Sequence, residues 1–337
     1  GKNASVGSVK INVYDGDISS LYGGGFKGHV TGLVDLDITG GTFDKNVYGG
    51  GYAGTVGSTD VSVTDKTSNK IITINGSLFG GGEGETASVY TSTNVLVDLA
   101  LDLNVTETTK YTNDISGISE VKYQITSVDY SKIQGNIYGG GDLGQVGSGD
   151  IDSVNNIATI NKVATTNVTL TNGYVGGSIF AGGSGVPGAN VRYALTMGTV
   201  FGQTSVTVNG GLVLGSVYGG GTQSRVYEDS SSDDYVATVN ITELTEEIVI
   251  NGSVFGGGER GNSATMNASV PTTIGDVLVS ITGKAERGSQ IYFVNGGVYG
   301  DGNLCLVRGN RVIEITNFNT TDDTLKTFFS LQRANTV

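Results

Sequence analysis

The stretch Asn46-Val47-Tyr48-Gly49-Gly50-Gly51 decides the fold of this chain, because its pattern returns along most of the molecule. An aliphatic residue comes first, an aromatic residue follows, and a run of glycines ends the unit. Eight copies occur, two of which have lost one glycine, and their aromatic residues are Tyr22, Tyr48, Phe79, Tyr138, Phe180, Tyr218, Phe255 and Tyr299. Repetition on this scale predicts a stacked array of similar structural units.

The composition narrows the class of partner. The chain has 337 residues, a formal net charge of −13 and a charged fraction of 15%, and it contains no stripe of basic residues. Such a surface does not neutralise phosphates or anionic lipid headgroups, so we expect no nucleic-acid partner. No apolar run of about 18 residues is present, so we expect no membrane insertion through a helix. The single cysteine, Cys305, excludes an internal disulfide.

The segments between the glycine units show the alternation of half-buried strands. In the first clear unit, Val34, Leu36 and Ile38 alternate with Asp35 and Asp37, which places the apolar side chains on one face and the carboxylates on the other. Three short strands per repeat predict one coil of a parallel β-helix. Asn-Gly pairs are interpreted as one corner that recurs in the coil, and they occur at 75–76, 172–173, 209–210, 251–252 and 295–296.

We therefore predict an all-β chain with one domain over residues 1–337. This domain is a single right-handed parallel β-helix, a β-solenoid with loop insertions, and its handedness is taken from the general rule for parallel crossovers. Residues 1–20 form an initial coil and residues 21–315 form the repeating coils. Residues 316–337 either form a cap, with a short capping helix, or begin a further segment.

Departures from the repeat mark the insertions. The aromatic residues Phe79 and Tyr138 are 59 residues apart, which predicts one extra coil and an excursion around residues 106–132. Residues 228–235 and 259–273 are further predicted loops. A constant coil with variable insertions at a corner explains the uneven spacing.

The aliphatic residue before each aromatic residue is predicted to point into the core. The aromatic neighbour then points the opposite way, toward an outer face where a tyrosine hydroxyl can reach water. The glycines that follow either turn a corner with positive φ or let another backbone approach closely. Two interpretations of the aromatic row stay open: a structural ladder that stiffens the rod, and a platform on which sugar rings stack. The second makes all eight aromatic residues candidate ligand-binding residues.

The aromatic-Gly-Gly-Gly units, the Asn-Gly corners and the Thr/Val-rich strands together resemble the glycine-rich β-strand-repeat surface proteins of gut bacteria. These are adhesin-like repeat proteins of the cell wall or the secreted fraction, and the resemblance covers roughly residues 20–315. It implies an extracellular or cell-surface β-solenoid. No catalytic residue can be transferred from it.

Function is interpreted in two ways. The first is a non-catalytic adhesin-like stalk or scaffold of the bacterial surface, whose loops contact a glycan or a host surface protein, or which serves only as a spacer. The alternative is a carbohydrate-active enzyme, a polysaccharide lyase or glycoside hydrolase, on the same scaffold. One histidine, His29, and one cysteine give no basis for a Ser/His/Asp or Cys/His arrangement. We assign no catalytic residue, and we interpret His29 as an outward surface residue.

Three carboxylates raise the question of a metal. Glu83, Asp142 and Glu259 each directly follow a glycine run, so stacking of the coils would bring them into one row. Neighbouring carboxylates repel one another unless a cation such as calcium bridges them or water screens them. We prefer the solvated interpretation and expect no metal and no cofactor.

Overall fold

The computed structural model describes residues 5–66, 68, 70–112, 115–152, 157–186, 196–228, 234–242, 246–260, 271–282 and 294–316. The regular elements of these residues are β-strands, and most of them belong to three parallel sheets, here named A, B and C. The prediction of an all-β parallel β-helix is confirmed. Its right-handed winding stays a prediction, and the predicted C-terminal capping helix lies outside the described residues.

Sheet A has 14 strands and contains the long strand of each coil. Its strands are Ser5–Val6, Val9–Val13, His29–Ile38, Thr55–Thr64, Ser88–Asp98, Gln145–Val146, Ala164–Asn172, Val200–Val208, Val226–Tyr227, Ala237–Thr242, Pro271–Ile274, Val277–Thr282, Leu306–Arg308 and Arg311–Thr316.

Sheets B and C are narrower and contain the two short strands that complete each coil. Sheet B has seven strands: Asp17–Ile18, Gly41–Phe43, Ile72–Ile74, Lys132–Ile133, Tyr174–Val175, Gly211–Val213 and Ile248–Ile250. Sheet C has eight strands, and each holds one aliphatic-aromatic pair: Leu21–Tyr22, Val47–Tyr48, Leu78–Phe79, Ile137–Tyr138, Ile179–Phe180, Val217–Tyr218, Val254–Phe255 and Val298–Tyr299. The chain thus passes through A, B and C in turn, and equivalent positions of successive coils pair in register.

The core is a set of aliphatic ladders inside the coil. Val47, Leu78, Ile137 and Val217 of sheet C are fully buried, and they pack against the inward residues of sheets A and B. The aromatic neighbours of these residues form a separate cluster on the opposite side of sheet C. The predicted interior ladder and the opposite orientation of the aromatic residues are therefore confirmed, because successive side chains of an extended strand point to opposite faces.

The predicted extra coil between Phe79 and Tyr138 is wrong. The strand Leu78–Phe79 pairs directly with Ile137–Tyr138, so the two aromatic residues belong to adjacent coils. The long gap instead holds an antiparallel hairpin of the strands Leu103–Thr112 and Ile115–Ile125, here called the first hairpin. It replaces the loop predicted over 106–132. A second hairpin, of Ser148–Asp152 and Ile157–Lys162, interrupts the next coil.

The predicted single Asn-Gly corner is also wrong, because the pairs occupy two corners. Those at 75–76, 251–252 and 295–296 connect sheet B to sheet C, and those at 172–173 and 209–210 connect sheet A to sheet B. Asn-Gly suits any sharp turn of the backbone, so the dipeptide alone does not tell one corner from another.

Candidate ligand-binding groove on sheet A

The eight aromatic residues predicted as ligand-binding candidates form one continuous column along sheet C. Consecutive rings lie 4.6–5.0 Å apart between centroids, with interplanar angles of 4–14°. This distance is the spacing of neighbouring strands, so the column follows directly from the in-register pairing of the coils. Its members are Tyr22, Tyr48, Phe79, Tyr138, Phe180, Tyr218, Phe255 and Tyr299.

The expectation that these rings face water is wrong for six of the eight. The exposed fractions of these six range from 1% for Phe180 to 9% for Phe255, and only the end members Tyr22 and Tyr299 are partly exposed. Each inner ring has a neighbouring ring on both faces, which leaves no face on which a sugar can stack. The column therefore supports the structural-ladder interpretation. A ligand-binding role for its members stays a prediction.

Asparagine side chains just before two strands of sheet C bind the tyrosine hydroxyl groups of those strands. The Asn46 and Asn136 amides donate to the hydroxyls of Tyr48 and Tyr138, with N–O distances of 2.8 and 2.9 Å. Burial raises the pKa of both tyrosines above its usual value. In the sequence, Asn stands two residues before these two tyrosines, whereas Ser77 and Ser216 take that position before Phe79 and Tyr218.

The three carboxylates that raised the question of calcium all accept hydrogen bonds from protein groups. Tyr22 donates to Glu83, Tyr48 donates to Asp142 over 3.3 Å, and Thr222 donates to Glu259 over 3.2 Å. Burial and the nearby charge of Glu83 raise the pKa of the Asp142 carboxyl. Among the described residues, no group of three or more His, Cys, Asp and Glu residues is arranged to hold a metal ion.

A different surface, the outer face of sheet A, brings polar side chains into rows. One row runs across successive coils in register, and its members are Asp35, Asp60, Asn94, Asn167, Ser205 and Thr238. Within it the Asn167 amide donates to the side-chain oxygen of Asn94 over 2.9 Å. These residues alternate with buried aliphatic residues along each strand, so the core fixes which residues face outward.

The strands of sheet A are interrupted at one register position. Two coils have a bulge there, between Val30 and Leu33 and between Val89 and Ser92. In later coils the same position holds the second hairpin, and it also separates the strands Val226–Tyr227 and Ala237–Thr242. The prediction that the variable insertions lie at a corner is therefore wrong for the second hairpin, which arises within sheet A.

A groove lies on this face next to the interruption. It has a volume of about 240 Å³ and spans three coils; its lining residues are Thr165, Asn167, Gln203, Thr204, Ser205, Asp234, Tyr235 and Thr238. Enclosed sites for drug-sized ligands usually measure about 300–1,000 Å³, so this groove suits a single ring-sized group or one side of a chain. Hydroxyl, amide and carboxylate groups line it together with one tyrosine ring, and Asp234 is its one charged lining residue.

Sequence reasoning found part of this groove. The predicted contact loop at 228–235 contains Asp234 and Tyr235, which are described and lie at the groove; residues 229–233 and most of the loop at 259–273 lie outside the described residues. The strand residues Asn167 and Gln203 were missed, because each looks like an ordinary outward polar residue of an alternating strand. Only the register between distant coils brings them together.

His29 is exposed, as predicted, and its Nδ1 atom lies 2.7 Å from the Thr55 hydroxyl. Among the described residues, no helix has the length and apolar character that crossing a membrane requires. No family model, no curated protein and no solved structure matches the chain.

Proposed function

We propose that this protein is a non-catalytic, adhesin-like scaffold of the bacterial surface or secreted fraction, and that it binds an uncharged glycan in the groove on sheet A. The observation that carries the proposal is the convergence of hydroxyl and amide side chains from three coils with Asp234 and Tyr235. Sugars present many hydroxyl groups at fixed spacing; a side-chain amide donates to and accepts from such groups, and a carboxylate accepts from them.

Tyr235 gives the groove an aromatic surface next to these polar groups. A tyrosine combines an apolar ring with a hydroxyl, and the ring suits the apolar C–H face of a sugar. A site for a small ligand usually combines aromatic side chains with a small number of polar groups of defined orientation.

The charge of the groove favours an uncharged ligand. Asp234 is its one charged lining residue and the whole chain has a net charge of −13, so an acidic polysaccharide would meet repulsion rather than a counter-charge. The carboxylate still accepts hydrogen bonds from sugar hydroxyls, and such charge-assisted bonds are stronger than neutral ones.

The proposal is tested by binding of the full chain to a panel of neutral and acidic glycans, followed by calorimetry with the best ligand. Asn167→Ala and Tyr235→Ala are the groove variants, because both side chains are at least partly exposed and line the groove. Each is expected to weaken binding about fivefold or more, the equivalent of one hydrogen bond or one aromatic contact of about 1 kcal/mol.

Thr207→Val is the matched control, because Thr207 lies on the same face and strand as Ser205 but does not line the groove. Its affinity should equal that of the unmodified chain. Unchanged affinity in both groove variants would refute the groove as the site. Release of shortened or unsaturated products from any glycan would replace the scaffold with the carbohydrate-active alternative.

A further inference from the structure

A second row of side chains runs along the corner between sheets C and A, one position after each glycine run. Isolated backbone bridges connect neighbouring members from coil to coil, except that Glu83 bridges to Leu143, the residue after the member Asp142. The row consists of Phe26, Tyr52, Glu83, Asp142, Ser184, Thr222, Glu259 and Asn303. Six coils place a polar or charged residue at this corner, and two adjacent coils place an aromatic one.

Phe26 and Tyr52 are paired and exposed. Their rings are stacked, with centroids 5.2 Å apart and an interplanar angle of 3°. The exposed fraction is 49% for Phe26 and 38% for Tyr52, whereas the inner rings of the buried column are at most 9% exposed. The edge of this pair contacts the column, because Tyr22 meets Tyr52 at 5.9 Å and 88°.

The pair departs from the polar character of its own row without contributing to the core. Large apolar side chains at positions that other repeats keep polar indicate a contact surface rather than a packing need. A flat pair of parallel rings on a rigid corner provides such a surface with little loss of conformational freedom on binding.

Charged groups lie at both ends of the pair. The Lys27 ammonium nitrogen lies 5.7 Å from the centroid of the Phe26 ring, and Lys27 has a φ of 52°, which fixes the chain in the left-handed turn of this corner. The next coil places Glu83 beside Tyr52 through a backbone bridge. A ligand that fits this surface needs an apolar face that contacts the two rings. It also needs hydroxyl groups that bind the Lys27 ammonium and the Glu83 carboxylate.

We propose that Phe26 and Tyr52 form a second sugar-binding subsite, which stacks on the apolar face of a pyranose ring while Lys27 and Glu83 bind its hydroxyl groups. The proposal rests on the proposed function for its ligand class, an uncharged glycan, but uses different residues on a different part of the rod. Tyr52 directly precedes the strand Thr55–Thr64, which lies two coils before Ala164–Asn172, the first strand of the groove. The distance along the rod is about 10 Å at about 4.8 Å per coil.

This separation makes one prediction about ligand length. A polysaccharide long enough to reach both sites engages them together, and the second contact then forms at a high effective concentration. A short oligosaccharide occupies either site alone and gains nothing from the other. The affinity of the unmodified chain should therefore rise steeply with the length of the glycan.

The test is calorimetry of the full chain with the soluble neutral polysaccharide that binds best. The double variant Phe26→Ser, Tyr52→Ser is expected to bind about tenfold more weakly, because it removes an aromatic contact that is worth about one order of magnitude in affinity. Leu304→Ser is the matched control, since Leu304 is 50% exposed at the equivalent corner of a distant coil. It should keep full affinity. The conservative pair Phe26→Tyr, Tyr52→Phe should restore binding, which separates loss of the rings from loss of folding.

The outcomes are distinguishable. Weaker binding of the polysaccharide by the double serine variant, together with restoration by the conservative pair, supports the subsite. Full affinity of that variant, with loss of affinity in Asn167→Ala, overturns the subsite and leaves the groove intact. Equal dependence on Phe26 for short and long glycans overturns the two-site arrangement. Absence of saccharide binding by the unmodified chain overturns both proposals.

Discussion

The middle glycine of each run lies against the backbone of the next coil. A Cβ atom on Gly50 would lie 2.6 Å from the nitrogen of Gly82, and one on Gly140 would lie 2.8 Å from the Cα of Gly183. Neither Gly50 nor Gly140 has a positive φ. Of the two explanations that the sequence left open, close approach of another backbone is therefore the correct one, because only a residue without a side chain lets these segments stack.

Gly140→Ala is expected to destabilise the chain by about 1–3 kcal/mol, because the methyl group would meet rigid backbone and the coils would have to move apart. Urea unfolding followed by circular dichroism measures the change. Gly7→Ala is the matched control, since no atom lies within 4 Å of a Cβ at Gly7. That variant should be neutral or slightly more stable. Equal stability of the two variants would show that the coils can separate at no cost.

At the scale of an element, the first hairpin explains a change in the outer face of sheet B. The outward residues of the early coils are Thr42, Thr73 and Lys132, and those of the later coils are Tyr174, Leu212 and Val249. The apolar later residues pack with Leu103, Val105, Tyr123 and Ile125 at the base of the hairpin. The Asn251 amide also donates to the Tyr123 hydroxyl over 3.1 Å. The insertion therefore covers a surface that would otherwise be an exposed apolar patch.

Replacement of residues 103–125 by a short Gly-Ser linker is expected to keep the β-sheet signal but to raise the binding of a hydrophobic dye and lower the solubility. The linker closes easily, because the Thr126 amide already donates to the Asp102 carbonyl over 3.0 Å. Leu212 and Val249 are fully buried and would become exposed, at a cost of about 1.5–3 kcal/mol for each large side chain. Adding Leu212→Thr and Val249→Thr to the deletion should restore solubility. A soluble deletion without dye binding would contradict this account.

Elements that repeat were predictable from the sequence, and those that break the repeat were not. The aliphatic-aromatic strands and the interior ladder follow from alternation and from the glycine runs. The alternation from Val95 to Val105, however, continues through the point where the strand of sheet A ends at Asp98 and the chain leaves for the hairpin. Alternation in the sequence predicts which face of the strand a side chain lies on, but it does not predict the direction in which the chain runs. An extra coil and a hairpin therefore have the same sequence pattern.

The groove depends on the same missing information. Its strand residues lie in different coils, and a single sequence does not give the register that aligns Asn167 with Ser205. The burial of the aromatic column was missed for a related reason. Alternation predicts the side of the strand correctly, but the faces of each ring are covered by rings of neighbouring coils, which lie tens of residues away in sequence.

At the scale of the whole molecule, each coil is held by its neighbours. The strand Ala164–Asn172 pairs with a strand on both sides, whereas Val9–Val13 pairs on one side among the described residues. The stability of such an array is approximately the sum of the coils and their contacts with adjacent coils. A coil with two neighbours is therefore harder to open than one with a single neighbour, and the groove lies on coils of the first kind.

Amide hydrogen exchange should reflect this gradient. We expect the amides of Val9–Val13 to exchange faster than those of Ala164–Asn172 by about two orders of magnitude or more. The reason is that the free energy of local opening ranges from near zero at the edges of a structure to the full free energy of unfolding in its core. The strand Val200–Val208, which also has neighbours on both sides, is the control and should match Ala164–Asn172. Uniform protection along the rod would mean that it opens as one cooperative unit. In that case the groove on sheet A would owe its rigidity to the whole array and not to the two coils beside it.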